Sequence, residues 1–507
     1  MEVLVSEAQI EEAQSSQSQQ ERPRLFGERA FYSTYFLLLA VSISVWFIAI
    51  RAPLWLDETG SYEGIKDGFA GILAQMGSLS FHPYPFILWL SSKMIGTSEI
   101  ALRVPSILAM LGAVYLLYLA ACELFERDIA IIAAIIFCLH PIVVFASIDV
   151  RPYAFTVLAT NAAILTLLRL RYSNSRWLAA QFGFSALCIV WLHMLSGVIL
   201  PALALCFIAV RFRDLKIVLR KYGVVFAVFL LALLMVLIGK ISMYHDAGSH
   251  IFEQAPTLED LTHTFKQGHL LLIFAITALI GFVKTRFDLR IYFQSWHVLF
   301  CVSLALIPLL ILYGVSVATP IHCFVPRHRI VAIPGIALCW ALALTPFRSR
   351  GIRLLFCVVL VAVTAHQYFG DPLAKRHEYT WKYALEAAEK NASVDSASVL
   401  ICNDFPESNY LAMPMDFAPL SYYKLSVPVV DLPRALNGEA IRVGSNFLRE
   451  ATQKHERFLA LAYLPSYKTL DWIEQNAAEA YSVRTIGVFD DIKVLEFTPR
   501  TQLNASR

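Results

Sequence analysis

Long apolar runs separated by short, basic polar stretches dominate the first 370 residues of the chain. A helix rises about 1.5 Å per residue and needs roughly 17 to 25 apolar residues to cross a bilayer's hydrocarbon. On that measure the pattern predicts about eleven crossings. They fall at residues 30–50, 103–123, 128–147, 152–170, 177–192, 195–210, 223–241, 269–283, 297–318, 329–346 and 354–369. One further apolar stretch, Tyr84 to Ile95, is too short to cross, opens with His82-Pro83-Tyr84-Pro85 and contains Lys93. It reads as an interfacial or re-entrant helix.

The charges beside these runs set an expected orientation. Residues 1–29 are rich in Gln, Ser and Glu and contain no apolar core of a cleaved signal peptide, so they read as a cytoplasmic tail. Arg22, Arg24 and Arg29 hold that end inside. Loops 124–127, 171–176, 211–222, 284–296 and 347–353 then fall in the cytoplasm, and they and their flanks carry Arg127, Arg169, Arg171, Arg176, Lys216, Lys284, Arg290, Arg348, Arg350 and Arg353. That is a strong positive-inside bias. Counting Tyr84–Ile95 as a crossing would invert every later loop and put these clusters outside. The long loop 51–102 therefore belongs to the outer face, with 148–151, 193–194, 242–268 and 319–328.

Beyond about residue 370 the apolar runs shorten to strand length, at 398–405, 425–432, 458–464 and 483–497, with helical patterns near 380–390 and 469–477 between them. Residues 370–507 are thus expected to form a soluble α/β domain, on the outer side because the crossings are odd in number. Composition agrees with the membrane reading: 57% of the 507 residues are apolar and 16% charged. A net charge of +3 without a basic stripe gives no reason to expect a nucleic-acid partner. The nine cysteines form no disulfide framework, although Cys323 and Cys402 both fall outside the cytoplasm, where a bridge is conceivable.

The outer face collects polar residues at its membrane edge. Asp57 and Glu58, in Leu54-Trp55-Leu56-Asp57-Glu58-Thr59, follow the first crossing closely. Adjacent side chains cannot share one direction, so one of the two faces a cleft and the other supports it; Asp57 is the candidate for the cleft. The same pair would also suit the first turn of an amphipathic helix. Arg103, Arg151, Arg327 and Arg329 stand outside beside crossings, against the charge preference. A phosphate or pyrophosphate group at the membrane surface would explain them, since guanidinium groups grip its oxygens with paired bonds. Snorkelling toward lipid phosphates is the alternative for any one of them.

This arrangement resembles the GT-C glycosyltransferase superfamily, in the branch of the protein O-mannosyltransferases and the aminoarabinose transferase that modifies lipid A. The Asp-Glu pair of that family's first outer loop is matched by Asp57-Glu58, and its His-Pro-Pro-like turn by His82-Pro83-Tyr84-Pro85. A Gly-x-Ser-Glu-x-x-x-Arg-x-Pro stretch is matched by Gly96, Ser98, Glu99, Arg103 and Pro105. Asp149-Val150-Arg151-Pro152-Tyr153 is similar to the Glu-Ala-Arg-Pro-Tyr of the second outer loop, and Arg327-His328 with Pro334 to a late Arg-Tyr followed by Pro. His328 and Tyr84 depart from the family's Tyr and second Pro.

The resemblance implies a GT-C-like membrane module over 30–369 that moves a sugar from a polyprenyl-phosphate carrier to an acceptor glycan, lipid or protein, with inversion at the anomeric carbon. Asp57 would be the base, with Glu58 and Asp149 as further catalytic carboxylates. Arg103, Arg151, Arg327 and Arg329 would hold the lipid phosphate, and His82, Tyr153 and His328 would complete the cleft. Some members of the superfamily use a divalent metal. For such an ion Asp149 and His82 are the first donors to test, although His before Pro also reads as a turn residue. His193 and the loop from Tyr244-His245-Asp246 to His269 are candidates for the acceptor side. The main rival is a transporter or flippase for a lipid-linked or small anionic substrate, which would place ionisable groups near the midplane rather than at one rim. An O-antigen-ligase-like enzyme or a membrane receptor is also open; neither would be expected to depend on the Asp-Glu pair.

Overall fold

The computed structural model describes residues 31–76, 83–173, 175–211, 215–245, 255–264, 283, 296–319, 321–370, 381–392, 398–403 and 417–501. Among these, seven helices are long and apolar enough to cross a membrane. They are α1 (Phe31–Ala49), α5 (Glu99–Cys122), α8 (Tyr153–Leu170), and the helices at Arg220–Ile238, Trp296–Ala318, Pro326–Leu344 and Arg350–Gly370. Two shorter apolar helices, Arg176–Leu192 and Met194–Ala209, coincide with predicted crossings. The predicted crossing at 269–283 lies outside the described residues except for Val283. The chain is an integral, multi-pass membrane protein.

The crossing expected as one run at 128–147 is instead two helices, α6 (Arg127–Leu139) and α7 (Pro141–Ser147), bent by 71°. Pro141 has no N–H to continue the ladder, so the carbonyls at the end of α6 lose their intrahelical partners. The indole of Trp46 in α1 donates to the Cys138 carbonyl at 2.9 Å, and the Tyr368 hydroxyl donates to that of Leu139 at 2.8 Å. His140 caps the next helix, its Nδ1 accepting from the Ile142 amide at 3.2 Å. The bend turns the chain toward the loop holding Asp149 and Arg151.

Basic residues of the predicted cytoplasmic loops meet at one end of the bundle. Arg353 reaches Glu126 at 2.6 Å and Asp128 at 2.7 Å, and Arg169 reaches Glu123 at 3.3 Å. Arg211 donates to the carbonyls of Leu170 and Ser173, and the Arg171 guanidinium lies 4.0 Å from the centre of the Trp296 ring. The opposite end carries α2 (Leu56–Lys66), α3 (Gly68–Met76) and α4 (Tyr84–Ile95), all from loop 51–102. α4 is the short apolar segment expected not to cross, and its Met94 and Ile95 are exposed.

The C-terminal region forms a five-stranded sheet in the order β2-β1-β3-β5-β4. β1 (Ser398–Cys402) pairs in parallel with β2 (Val429–Leu432) and β3 (Phe458–Tyr463). β4 (Tyr481–Phe489) and β5 (Ile492–Pro499) are antiparallel. The single strand expected at 483–497 is therefore a hairpin. Asp490 and Asp491 turn it with φ of 46° and 65°, the left-handed pair that a two-residue hairpin turn needs. The helix Gly438–Lys454, not anticipated, covers the sheet with an apolar face of Ala440, Gly444, Leu448 and Ala451. Cys323 and Cys402 are both buried free thiols, so the conceivable bridge does not form.

The Arg353 cluster makes a stability prediction. Removing a buried cation leaves Asp128, itself nearly buried, without its partner, at a cost of about 3 kcal/mol or more. Arg353→Met should therefore lower the melting temperature of the purified protein, and adding Asp128→Asn should recover part of the loss; equal melts for wild type and Arg353→Met would refute this role.

Candidate active site

The site starts from the first turn of α2. Glu58, the third residue of the helix, reaches back to accept from the Trp55 amide at 3.2 Å, half of a capping box that fixes where α2 begins. Neighbours on a helix diverge by about 100°, so Asp57 and Glu58 point apart. Glu58 turns inward and is fully buried. Its Oε2 accepts from Arg103 Nη2 at 2.9 Å, and its Oε1 from the Val150 amide at 3.0 Å. Asp57 turns outward and keeps about a quarter of its side chain exposed, at 23%.

Around Asp57 the structure gathers two of the expected arginines. Arg151 Nη2 lies 3.8 Å and Arg327 Nη1 3.6 Å from Asp57 Oδ2, with 31% and 40% of their side chains exposed. Arg151 Nη1 also donates to the Asp57 carbonyl at 3.4 Å. The side-chain separations are ion-pair distances, longer than hydrogen bonds, and leave donors of both guanidinium groups able to serve another anion. Burial works to lower the Arg151 pKa, but Asp57, then Tyr153 and Asp149, outweigh it and hold the group above its ordinary value.

Three aromatic rings complete this wall. The His328 ring lies 5.2 Å from that of His193, tilted by 39°, and His193 lies 5.2 Å from Tyr153, the first residue of α8. His328 Nδ1 sits 2.9 Å from the Cys323 carbonyl, which can only accept, so Nδ1 carries the proton in that contact. Pro152, just before Tyr153, suits the entry to a helix and sets the angle at which Arg151 leaves α8.

Several expected residues lie elsewhere or have changed roles. Arg103, expected at the lipid phosphate, is fully buried. It donates to Glu58 and to the carbonyls of Ile50, Ala52 and Pro53 at 2.8, 2.7 and 3.1 Å, so its donors are committed to the protein. Arg329, also expected at the phosphate, is turned toward the helix Leu258–His263. It donates to the Asp260 carbonyl at 3.0 Å and the Thr264 hydroxyl at 2.5 Å, with its guanidinium 4.8 Å from the Phe324 ring centre. Glu58 and Asp149, expected as further catalytic carboxylates, are both fully buried. Asp149 Oδ1 accepts from the Trp55 indole at 3.0 Å, which places Asp149 beneath the Asp57 surface. Tyr84 is buried against Phe155 at 5.9 Å, and burial, then Asp149, raises its hydroxyl pKa.

His82, Asp246 and His269 lie outside the described residues. Among the described residues no three His, Cys, Asp or Glu side chains come together as a metal site. Asp149 already accepts from Trp55 and sits near a guanidinium, a poor fit for a metal ligand. The contribution of Trp55 was not anticipated, because its partner is 94 residues away in sequence. Its only signal was its place beside the acidic pair.

Residues 83–238 match the family model described as dolichyl-phosphate-mannose-protein mannosyltransferase. No curated protein matches the sequence. Among solved structures the chain is similar to ArnT from Cupriavidus metallidurans. Bound to undecaprenyl phosphate, that protein is 11% identical at a TM-score of 0.54, with 91% of this chain and 97% of that chain covered. In the apo state it is 13% identical at a TM-score of 0.54, with 92% and 98% covered. The fold is thus that of the GT-C membrane proteins with a C-terminal α/β domain. The likeness to ArnT is one of fold, and the family-model match spans less than a third of the chain.

The burial pattern separates two kinds of arginine. Arg103→Met should lower the melting temperature, because it leaves Glu58 buried without its cation, whereas Arg327→Ala should leave the melt within a degree or two of wild type (about 0.5 kcal/mol). Equal melts for the two variants would refute the distinction.

Proposed function

We propose that this protein is an inverting glycosyltransferase that moves a sugar from a polyprenyl-phosphate donor to an extracytoplasmic glycolipid, polysaccharide or protein. The observation that carries the reading is the partly exposed Asp57 carboxylate held 3.8 and 3.6 Å from Arg151 and Arg327. This puts a proton acceptor beside two cations with bonding capacity to spare. The donor class is supported by the family model's description, which names dolichyl-phosphate-mannose, and by the similar ArnT structure, which is bound to undecaprenyl phosphate.

In this reading the donor's phosphate lies against Arg151 and Arg327. An acceptor hydroxyl attacks the anomeric carbon from the face opposite the phosphate, and its proton passes to Asp57 as the new C–O bond forms. The bond from carbon to the phosphate oxygen breaks, with its electron pair leaving on the lipid phosphate. The charge that grows there is met by fixed guanidinium groups rather than by reorganising water. One displacement inverts the carbon. Asp149 and Glu58 act from beneath: the first steadies Trp55 and the second fixes the start of α2. A divalent ion would supply further positive charge at the phosphate; of its two candidate donors Asp149 is buried and His82 lies outside the described residues, and no step here requires the ion.

Asp57→Asn keeps the side chain's size and removes the base. Transfer should fall by about 10²- to 10⁴-fold while polyprenyl-phosphate binding persists. A mass-spectrometric assay of cell-envelope glycans, beside binding measured on the purified protein, reads both; normal glycan transfer would favour the transporter reading. Arg327→Ala should weaken polyprenyl-phosphate binding by roughly tenfold or more with the fold intact. Unchanged lipid affinity in a titration would remove Arg327 from the phosphate site.

A further inference from the structure

The C-terminal domain meets the membrane module in a contact that is part apolar, with Leu56 against the domain's core and Tyr422 and Tyr423 against the cluster of Leu54 and Ile65, and part polar. The Tyr423 hydroxyl donates to Glu99 Oε1 at 2.8 Å and accepts from the Leu54 amide at 2.7 Å. Lys382 Nζ pairs with the same Glu99 oxygen at 3.1 Å. Beside them the Tyr422 hydroxyl donates to the Thr97 carbonyl at 3.0 Å, and its ring meets Tyr62 of α2 edge-on at 5.0 Å. Burial, then Glu99, raises the Tyr423 pKa, so its hydroxyl keeps the proton it donates.

Glu99 and Arg103 are four residues apart in α5, on one face of the helix. Glu99 receives the C-terminal domain and Arg103 holds Glu58 and the carbonyls of residues 50, 52 and 53. Tyr423 grips the same stretch from the other side, through an amide three residues before Asp57. The segment 50–58 is thus fastened from beneath by the membrane module and from above by the C-terminal domain.

We infer that Tyr423, Lys382 and Glu99 are positioning residues. Through them the C-terminal domain clamps the segment carrying Asp57 at the height where its carboxylate meets Arg151 and Arg327. The inference rests on the glycosyltransferase reading for its effect on transfer, but the clamp is measurable without it. A group misplaced by about 1 Å can cost up to a hundredfold in rate, which one lost anchor at a chain segment can bring about.

Tyr423→Phe removes one hydroxyl and keeps the ring; Lys382→Ala removes the cation, and Lys382→Arg restores it. Each is made in the full-length protein in detergent or nanodiscs and read by hydrogen exchange and by transfer kinetics. For Tyr423→Phe and Lys382→Ala, amide exchange in the peptide covering residues 50–58 should quicken about tenfold while β1 and β3 stay at wild-type rates. The kcat of transfer should fall by about ten- to a hundredfold with KM for the lipid donor unchanged. Lys382→Arg should recover most of both. Exchange over 50–58 at wild-type rates, or faster exchange with unchanged kcat, would overturn the clamp, as would a loss of kcat with no local loosening. If exchange also quickens in the strands, the domain has unfolded; Lys382→Ala and its Arg rescue then decide, and failure of the rescue overturns the proposal. A wild-type protein with no transfer activity would count against the glycosyltransferase reading instead, and the exchange data alone would decide whether the clamp exists.

Discussion

The structure turns on the buried ion pair between Glu58 and Arg103. Taking either charge out of water costs several kcal/mol, and their attraction offsets that cost only because the remaining bonding capacity is also used. Glu58 accepts from the amides of Trp55 and Val150, and Arg103 donates to the carbonyls of residues 50, 52 and 53. One pair therefore ties together the exit of the first long helix, the start of α2, the loop at residues 148–151 and α5. Because a half-paired charge at this depth is so unfavourable, these four segments have little freedom to move apart.

That constraint explains how neighbouring carboxylates take different tasks. The helix sends Glu58 into the protein and Asp57 out of it, so the more buried acid fixes the more exposed one. Arg151 and Arg327 arrive from other parts of the chain: the first after the bend at Pro141, the second from the first turn of the helix at Pro326–Leu344. The bend is stabilised by Trp46 and Tyr368, which take up carbonyls that the break between the two helices leaves without intrahelical partners. The chemistry at one end of the bundle thus depends on backbone accounting deep in its middle. In the proposed reading the phosphate needs preorganised cations, because water at a membrane surface would otherwise screen them.

The C-terminal domain bears on the same loop through the apolar packing of Leu56, Tyr422 and Tyr423 and through a polar joint beside it. The polar part is made of hydroxyls, one lysine and one glutamate converging on Glu99, Thr97 and Leu54. Polar joints of this kind give direction more than strength, since their net contribution to stability is modest while their geometry is strict.

Much of this was legible in the sequence. Apolar runs must be long enough to span hydrocarbon, so the long apolar helices among the described residues lie where the pattern put crossings, with 128–147 bent into two helices and 269–283 outside the described residues but for Val283. The Asp57-Glu58 pair, Arg151 and Arg327 stood out because charge at an outer membrane edge is costly enough to need a reason. The sequence already made Asp57 the candidate for the cleft, but the burial of Glu58 follows from the rotation of α2 against α5. It also gave four arginines one reading, where packing commits Arg103 to Glu58 and Arg329 to Thr264 and leaves Arg151 and Arg327 at the cleft. Hydrophobic pattern is a local property that one segment carries by itself; the partner of a buried charge is chosen by segments tens or hundreds of residues away, and only the folded chain brings them within reach.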